Sequence, residues 1–303
     1  MCMMKSMILT KDKVFCPDYD SHTDMLSEMG IRDNGLVPDF VKIEITPPAD
    51  DMRRPLEEWR YRVDQDELPG WYVQEIDATR CRKSLVEWYG SHVFTEGHHE
   101  VHSGKIWLFG NATARLYDNA SAILYDNARA DLFDKAAAKL YDKAKAELRD
   151  NATAYLCNNA KAKLHSNAAA KLFDRAKATL YDNAAAMLFN NAKATLYDNA
   201  TAKLFDKAAA KLYNSASVTL YDNATAKLYN NTKATLHRNT AAELFDDATA
   251  TLYDNATAIL HGNATVILYD YATAELFDKA VSIYRAHFGA DPVIKTANGE
   301  GSK

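Results

Sequence analysis

Four histidines, His92, His98, His99 and His102, fall within 11 residues of one another, and three or four imidazoles can hold zinc. The stretch around them is polar and has no obvious acidic or cysteine partner at ligand spacing, so it is read as a solvated linker and no metal is assigned. Asp64 and Asp66 alternate as a general acid–base pair would, yet paired acids at a strand end more often solvate or cap a turn. Cys2, Cys16, Cys81 and Cys157 show no paired spacing and are read as free thiols of a reducing cytoplasm. No phosphate-binding loop, nucleophile elbow or Cys-x-x-Cys is present. The expectation is a protein without catalytic residues or cofactor, not an enzyme. The remaining chemistry is cationic: Arg129, Lys145, Lys161, Lys177 and Lys193 recur at a spacing of 16 residues. They would line up as one basic ladder if the chain returned to the same place every 16 residues.

The elements that would position this ladder follow from a repeat. From Leu108 the chain has the octad Leu-Tyr/Phe-Asp-Asn-Ala-x-Ala-x, with leucine at all 22 positions from 108 to 276. Alanine stands four residues after each leucine except at Thr232 and Thr240, and six after it except at Val218, Val266 and Ser282. Such unbroken self-similarity belongs to an array rather than a globular domain. In a helix, eight residues advance the direction by about 800°, so the leucine would drift by about 80° per repeat and never form a face. Alternation fits better, because Ala-x-Ala-x-Leu puts three apolar side chains on one side of a strand. Asp-Asn makes the turn, and no proline interrupts the pairing between coils. The octads facing the ladder positions read Ala137, Thr153, Ala169, Ala185 and Thr201, which favours two strands per 16-residue coil over a triangle of three octads. Aromatic residues should stack along the edges, and stacked Asn amides should bond coil to coil.

Before the array lies a small α+β module. It has an alternating strand from Phe40 to Thr46, a second from Trp59 to Val63, and a helix over 77–90 that Asp77 caps and Gly90 ends. The fold class is therefore mainly β: residues 1–107 form a small N-terminal capping domain, 108–280 a β-solenoid of about 21 octads, and 281–303 a C-terminal cap and loose tail. All four Trp and six of the 7 Pro lie before residue 108, in line with that division.

Net charge is −5, but Leu108 to Lys279 holds 20 basic against 19 acidic residues. That near-neutral sum argues against a domain built only to grip nucleic acid. No apolar run approaches a membrane span, and the first residues turn polar too quickly for a signal peptide. A cytoplasmic protein is expected, and the Asn-Ala-Thr triplets, which match a glycosylation sequon, are by-products of the repeat.

Phe40-Val-Lys-Ile-Glu-Ile-Thr-Pro-Pro48, Trp59-Arg-Tyr-Arg-Val-Asp-Gln-Asp66 with Pro69 and Trp71, and the octad array together carry a resemblance. The whole chain resembles a loosely defined group of bacteriophage, prophage and gut-bacterial proteins that join a short N-terminal module to long Asn-Ala-Thr-type arrays. The likeness implies a mobile-element origin and brings no catalytic residues with it. The expected function is a non-enzymatic binding or scaffold protein, such as an inhibitor that docks a host or defence protein on the Arg129–Lys193 ladder, with self-association through exposed coil edges. Nucleic-acid or nucleotide binding on the same ladder is the alternative. Ice binding is set aside because only Thr249 and Thr251 make a Thr-x-Thr octad, and a metal-dependent N-terminal enzyme because the histidines barely support one.

Overall fold

The computed structural model describes residues 4–33, 39–285 and 293–296, and the chain divides into two compact units, Met1–Phe94 and Thr95–Lys303. Cys2, residues 286–288 of the expected cap and the tail after Thr296 lie outside the described residues. Among the described residues no helix is long and apolar enough to cross a membrane.

The first unit is built on a four-stranded antiparallel sheet of β1 (Lys5–Thr10), β2 (Val14–Phe15), β3 (Phe40–Thr46) and β4 (Arg60–Val63), in the order β2-β1-β3-β4. Helix α1 (His22–Glu28) starts at Ser21, whose side chain accepts from the Asp24 N–H. It packs Met25 and Leu26 against Ile8 and Phe40. Helix α2 (Gln74–His92) buries Cys81, Leu85 and Trp88 along the side the sequence marks. Its ends differ from the expected ones. It begins three residues before Asp77, whose carboxylate accepts the Val73 N–H at 2.8 Å and pairs with Arg80 at 2.8 Å. Asp77 thus secures the first turn from inside it. The helix also runs through Gly90 and stops only at β-branched Val93, the start of the two-residue strand β5 (Val93–Phe94).

The second unit is a β-solenoid. From β6 (His98–Val101) and β7 (Lys105–Leu108), successive strands alternate between two parallel sheets. Each octad from Thr113 to β28 (Thr273–Leu276) adds one four-residue strand, and β29 (Val281–Tyr284) and β30 (Val293–Thr296) end the two sheets. Arg129 pairs with Lys145 and Leu132 with Leu148, one 16-residue coil apart, so each coil has two strands, and a three-octad triangle is excluded. The sheets begin upstream of Leu108, where the octad count starts the array. That first coil is one residue short, since His98 pairs with Thr113 while Lys105 pairs with Ser121. Its corner is His102-Ser-Gly104, with no octad consensus to reveal it.

The core follows from the alternation. From Ala112 to Leu276 the inward positions, almost all alanine and leucine, are buried, as in Ala112, Ala114 and Leu116. Thr232 and Thr240 occupy two of the inward alanine positions and are buried completely. The Thr240 hydroxyl donates to the His237 carbonyl at 3.1 Å, whereas the Thr232 hydroxyl has no partner. A buried unsatisfied hydroxyl costs about 1–3 kcal/mol. Thr232→Ala, which restores the repeat, should therefore raise stability by about 1 kcal/mol in urea denaturation, and Thr240→Ala should gain less.

At the corners the backbone turns through a left-handed residue two positions after leucine, with Asp118 at φ 53° and Asp182 at φ 56°. Asn and Asp both tolerate this conformation, and Asp holds most of these positions. Its carboxylate has a second task, accepting the corner N–H of the preceding coil, as Asp182 does from Ser166 at 2.9 Å. Where Asn replaces Asp in the column, its amide donates to the neighbouring acid, as Asn214 does to Asp198 at 3.0 Å. Asp182→Ala should lose about 1–2 kcal/mol from the left-handed strain alone. Asp182→Asn should lose much less, and the two urea midpoints make the comparison.

Candidate functional site

The five ladder cations come together in one column. Arg129, Lys145, Lys161, Lys177 and Lys193 occupy successive rungs of the sheet that runs from β6 to β30, all of them exposed. Rungs of a sheet lie about 4.8 Å apart. Two residues further along each strand is a parallel outward row, Asp131, Glu147, Lys163, Thr179 and Thr195. Between the rows runs a trough floored by the backbone of the inward-facing alanines, such as Ala130 and Ala146, and continuing past Lys193 to Ile259. Its volume is 1130 Å³, against 510 Å³ for the corresponding trough on the other sheet. Ala209 and Ala241 keep its far half low-walled.

The ladder's own acids do not neutralise it. Glu147 turns to the corner, where it pairs with Arg149 at 2.5 Å and lies 3.5 Å from His165. Glu243 takes Lys227 at 2.7 Å. Among the described residues none of the five column cations forms an ion pair. Like charges on directly neighbouring strands are destabilising, and here five stand in a row.

The near-neutral total of the array hides a separation that appears only once the coil is known. Of the 19 acidic residues from Leu108 to Lys279, 15 lie at the corners. Of the 20 basic residues, 13 project from the strands. The sheets are therefore positive and the edges negative. The opposite sheet is not a neutral back either. It carries Lys139, Lys171 and Lys203 on alternate rungs, Lys171 lying 5.4 Å from the ring of Tyr155. What distinguishes the first sheet is its unbroken column.

The aromatic row forms two edge stacks, as expected. Tyr181 and Tyr197 lie 5.3 Å apart at 8°, and Phe189 and Phe205 5.0 Å apart at 7°. Each stack is interrupted once, by Arg149, which lies 5.3 Å from the Phe133 ring, and by Cys157. Burial raises the Cys157 thiol above its ordinary range. It also pushes Cys16 up to about 11 and Cys81 up to about 12. Thiols held protonated in this way are poor nucleophiles at neutral pH.

Each of the four histidines has a partner of its own. His92 pairs with Asp18 at 2.8 Å, His98 bonds the Thr113 hydroxyl at 3.0 Å, and His99 bonds the Glu96 carbonyl at 2.9 Å. His102 begins one edge stack, 4.8 Å from Tyr117. Asp64 has other company than Asp66: it bonds Arg62 at 2.5 Å and faces His22 at 3.5 Å. Among the described residues, His22, Glu44 and Asp64 form the group whose ligand atoms come within 4.8 Å of one another. They come from three separated segments, and the sequence holds no signal that joins them. No family model, curated protein or solved structure matches the chain, so the reading of these sites rests on their own geometry.

Proposed function

We propose that this is a non-enzymatic binding protein that docks an elongated acidic protein surface in the trough beside the Arg129–Lys193 column. The observation that carries the reading is the column itself, five exposed cations in consecutive rungs that form no ion pair among the described residues. A partner with matching carboxylates would relieve the mutual repulsion and gain specificity from the regular spacing. The low, alanine-floored trough suits a flat or gently curved contact, and the solenoid makes it long. The resemblance to phage and prophage arrays makes a host or defence protein the first partner to look for, in the cytoplasm.

The separation of charge supports a second reading, in which a nucleic-acid strand follows the positive sheet. Against it stands the placement of the rings. They lie in the edge stacks and not in the trough, so bases would find no aromatic platform there. A titration with poly-L-glutamate and with single-stranded oligothymidylate, each at about 50 mM and about 200 mM salt, separates the two. The protein reading expects saturable, salt-weakened binding of poly-L-glutamate that exceeds binding of the oligonucleotide. The reverse order would favour the nucleic-acid reading, and no binding of either at the lower salt would end both.

A further inference from the structure

We infer that His22, Glu44 and Asp64 form a binding site for one divalent transition-metal ion, of the zinc type, in the N-terminal unit. His22 is the first residue of α1, Glu44 lies in β3, and Asp64 directly follows β4. Glu44 pairs across the sheet with Arg62, two residues before Asp64, so the two carboxylates come from adjacent strands. The three ligand atoms lie within 4.8 Å of one another. A modest closure would bring them to the distances of roughly 2.0–2.2 Å that zinc makes with nitrogen and carboxylate oxygen.

The orientation of His22 is what lifts this cluster above a chance meeting of polar groups. Its Nε2 lies 3.1 Å from the Ile43 carbonyl oxygen. A carbonyl only accepts, so Nε2 carries the hydrogen. In the neutral ring, Nδ1 then holds its lone pair toward Asp64 Oδ2, 3.5 Å away. Two lone pairs face each other in that form, and either a second ring proton or a metal cation between them resolves the conflict. A ligating histidine held by a backbone carbonyl through its other nitrogen is the common supporting arrangement of metal sites. The His22 and Glu44 side chains are only 13% and 17% exposed, so the site is partly sheltered from water.

The cation now nearest is Arg62, 2.5 Å from Asp64 and 3.5 Å from Glu44. It is 57% exposed and contributes little as a surface ion pair. It can swing into solvent when an ion enters, and it bonds the carboxylates without answering the imidazole. One nitrogen and two oxygen donors suit zinc or manganese. An imidazole ligand disfavours magnesium.

The test is calorimetric titration of the full chain with Zn²⁺ and with Mg²⁺, for the parent and for His22→Gln, Asp64→Asn and Arg62→Ala. The expected result is one Zn²⁺ per chain and no Mg²⁺ uptake. Affinity should fall at least about tenfold in His22→Gln and Asp64→Asn and rise severalfold in Arg62→Ala, where the competing cation is gone. A purely structural ion-pair network predicts no gain on removing Arg62. Absence of saturable Zn²⁺ binding, or binding unchanged in His22→Gln, overturns the site. Should either ligand variant fail to fold, an Arg62→Ala affinity equal to the parent's overturns it as well.

Discussion

Replacing Arg129, Lys145, Lys161, Lys177 and Lys193 together by glutamate should weaken poly-L-glutamate binding about 100-fold at about 50 mM salt, with the fold unchanged. Exposed ion pairs are worth about 0.2–1 kcal/mol each. Losing five such pairs removes roughly 1–5 kcal/mol, and each factor of ten in affinity is about 1.4 kcal/mol. Repulsion then adds to the loss. The residues lining the trough include eight cations and three carboxylates, a net +5, and the five reversals turn this into −5. The effect should shrink with salt, because the charges are exposed. The fold should tolerate the change, since these side chains make no ion pairs and a column of like positive charges is replaced by one of like negative charges. A circular-dichroism melt tests that half of the expectation. If the variant melts with the parent and still binds poly-L-glutamate as tightly, the column is not the docking surface.

The parts of the fold that the sequence made legible are those in which one physical rule acts alone. The drift of about 80° per octad excludes a helix, and Ala-x-Ala-x-Leu leaves only one way to form a buried face. The 16-residue alternation of Lys with Ala or Thr anticipates the two-sheet coil because every rung repeats the same decision. Legibility fails where rules compete. The left-handed corner suits Asn and Asp alike, and Asp holds most corners because its carboxylate also receives an N–H from the preceding coil. The first coil escapes the octad count because its corner is one residue short. Strand β1 shows no alternation because its first five residues, Lys5 and Ser6 among them, are all buried. The charge separation is invisible in a sum and requires the coil register. His22, Glu44 and Asp64 meet only through the tertiary fold, so the spacing of Asp64 and Asp66 along the chain does not reveal them.

Deleting one coil and deleting half a coil should give folded proteins that bind differently. Removing residues 177–192 takes out one full 16-residue turn. Each strand beyond the gap then keeps its sheet, and Lys193 follows Lys161 in a column of four cations. Removing only 177–184 moves every later strand to the opposite sheet. The core hardly registers the change, because both sheets present the same buried Ala, Ala and Leu. The edge stacks also continue, His165 meeting Phe189 and Phe173 meeting Tyr197. Stability in such an array is close to a sum over neighbouring repeats, so the two variants should melt within a few degrees of each other. The column, however, is cut to Arg129, Lys145 and Lys161, followed by Ala185 and Thr201 where Lys177 and Lys193 stood. With each lost pair worth up to about 1 kcal/mol, poly-L-glutamate binding should weaken roughly threefold for the full coil and about tenfold or more for the half coil. Equal binding by the two variants would mean that the partner does not read the column. Unfolding of the half-coil variant alone would mean that the two sheets, alike in their buried residues, are not interchangeable.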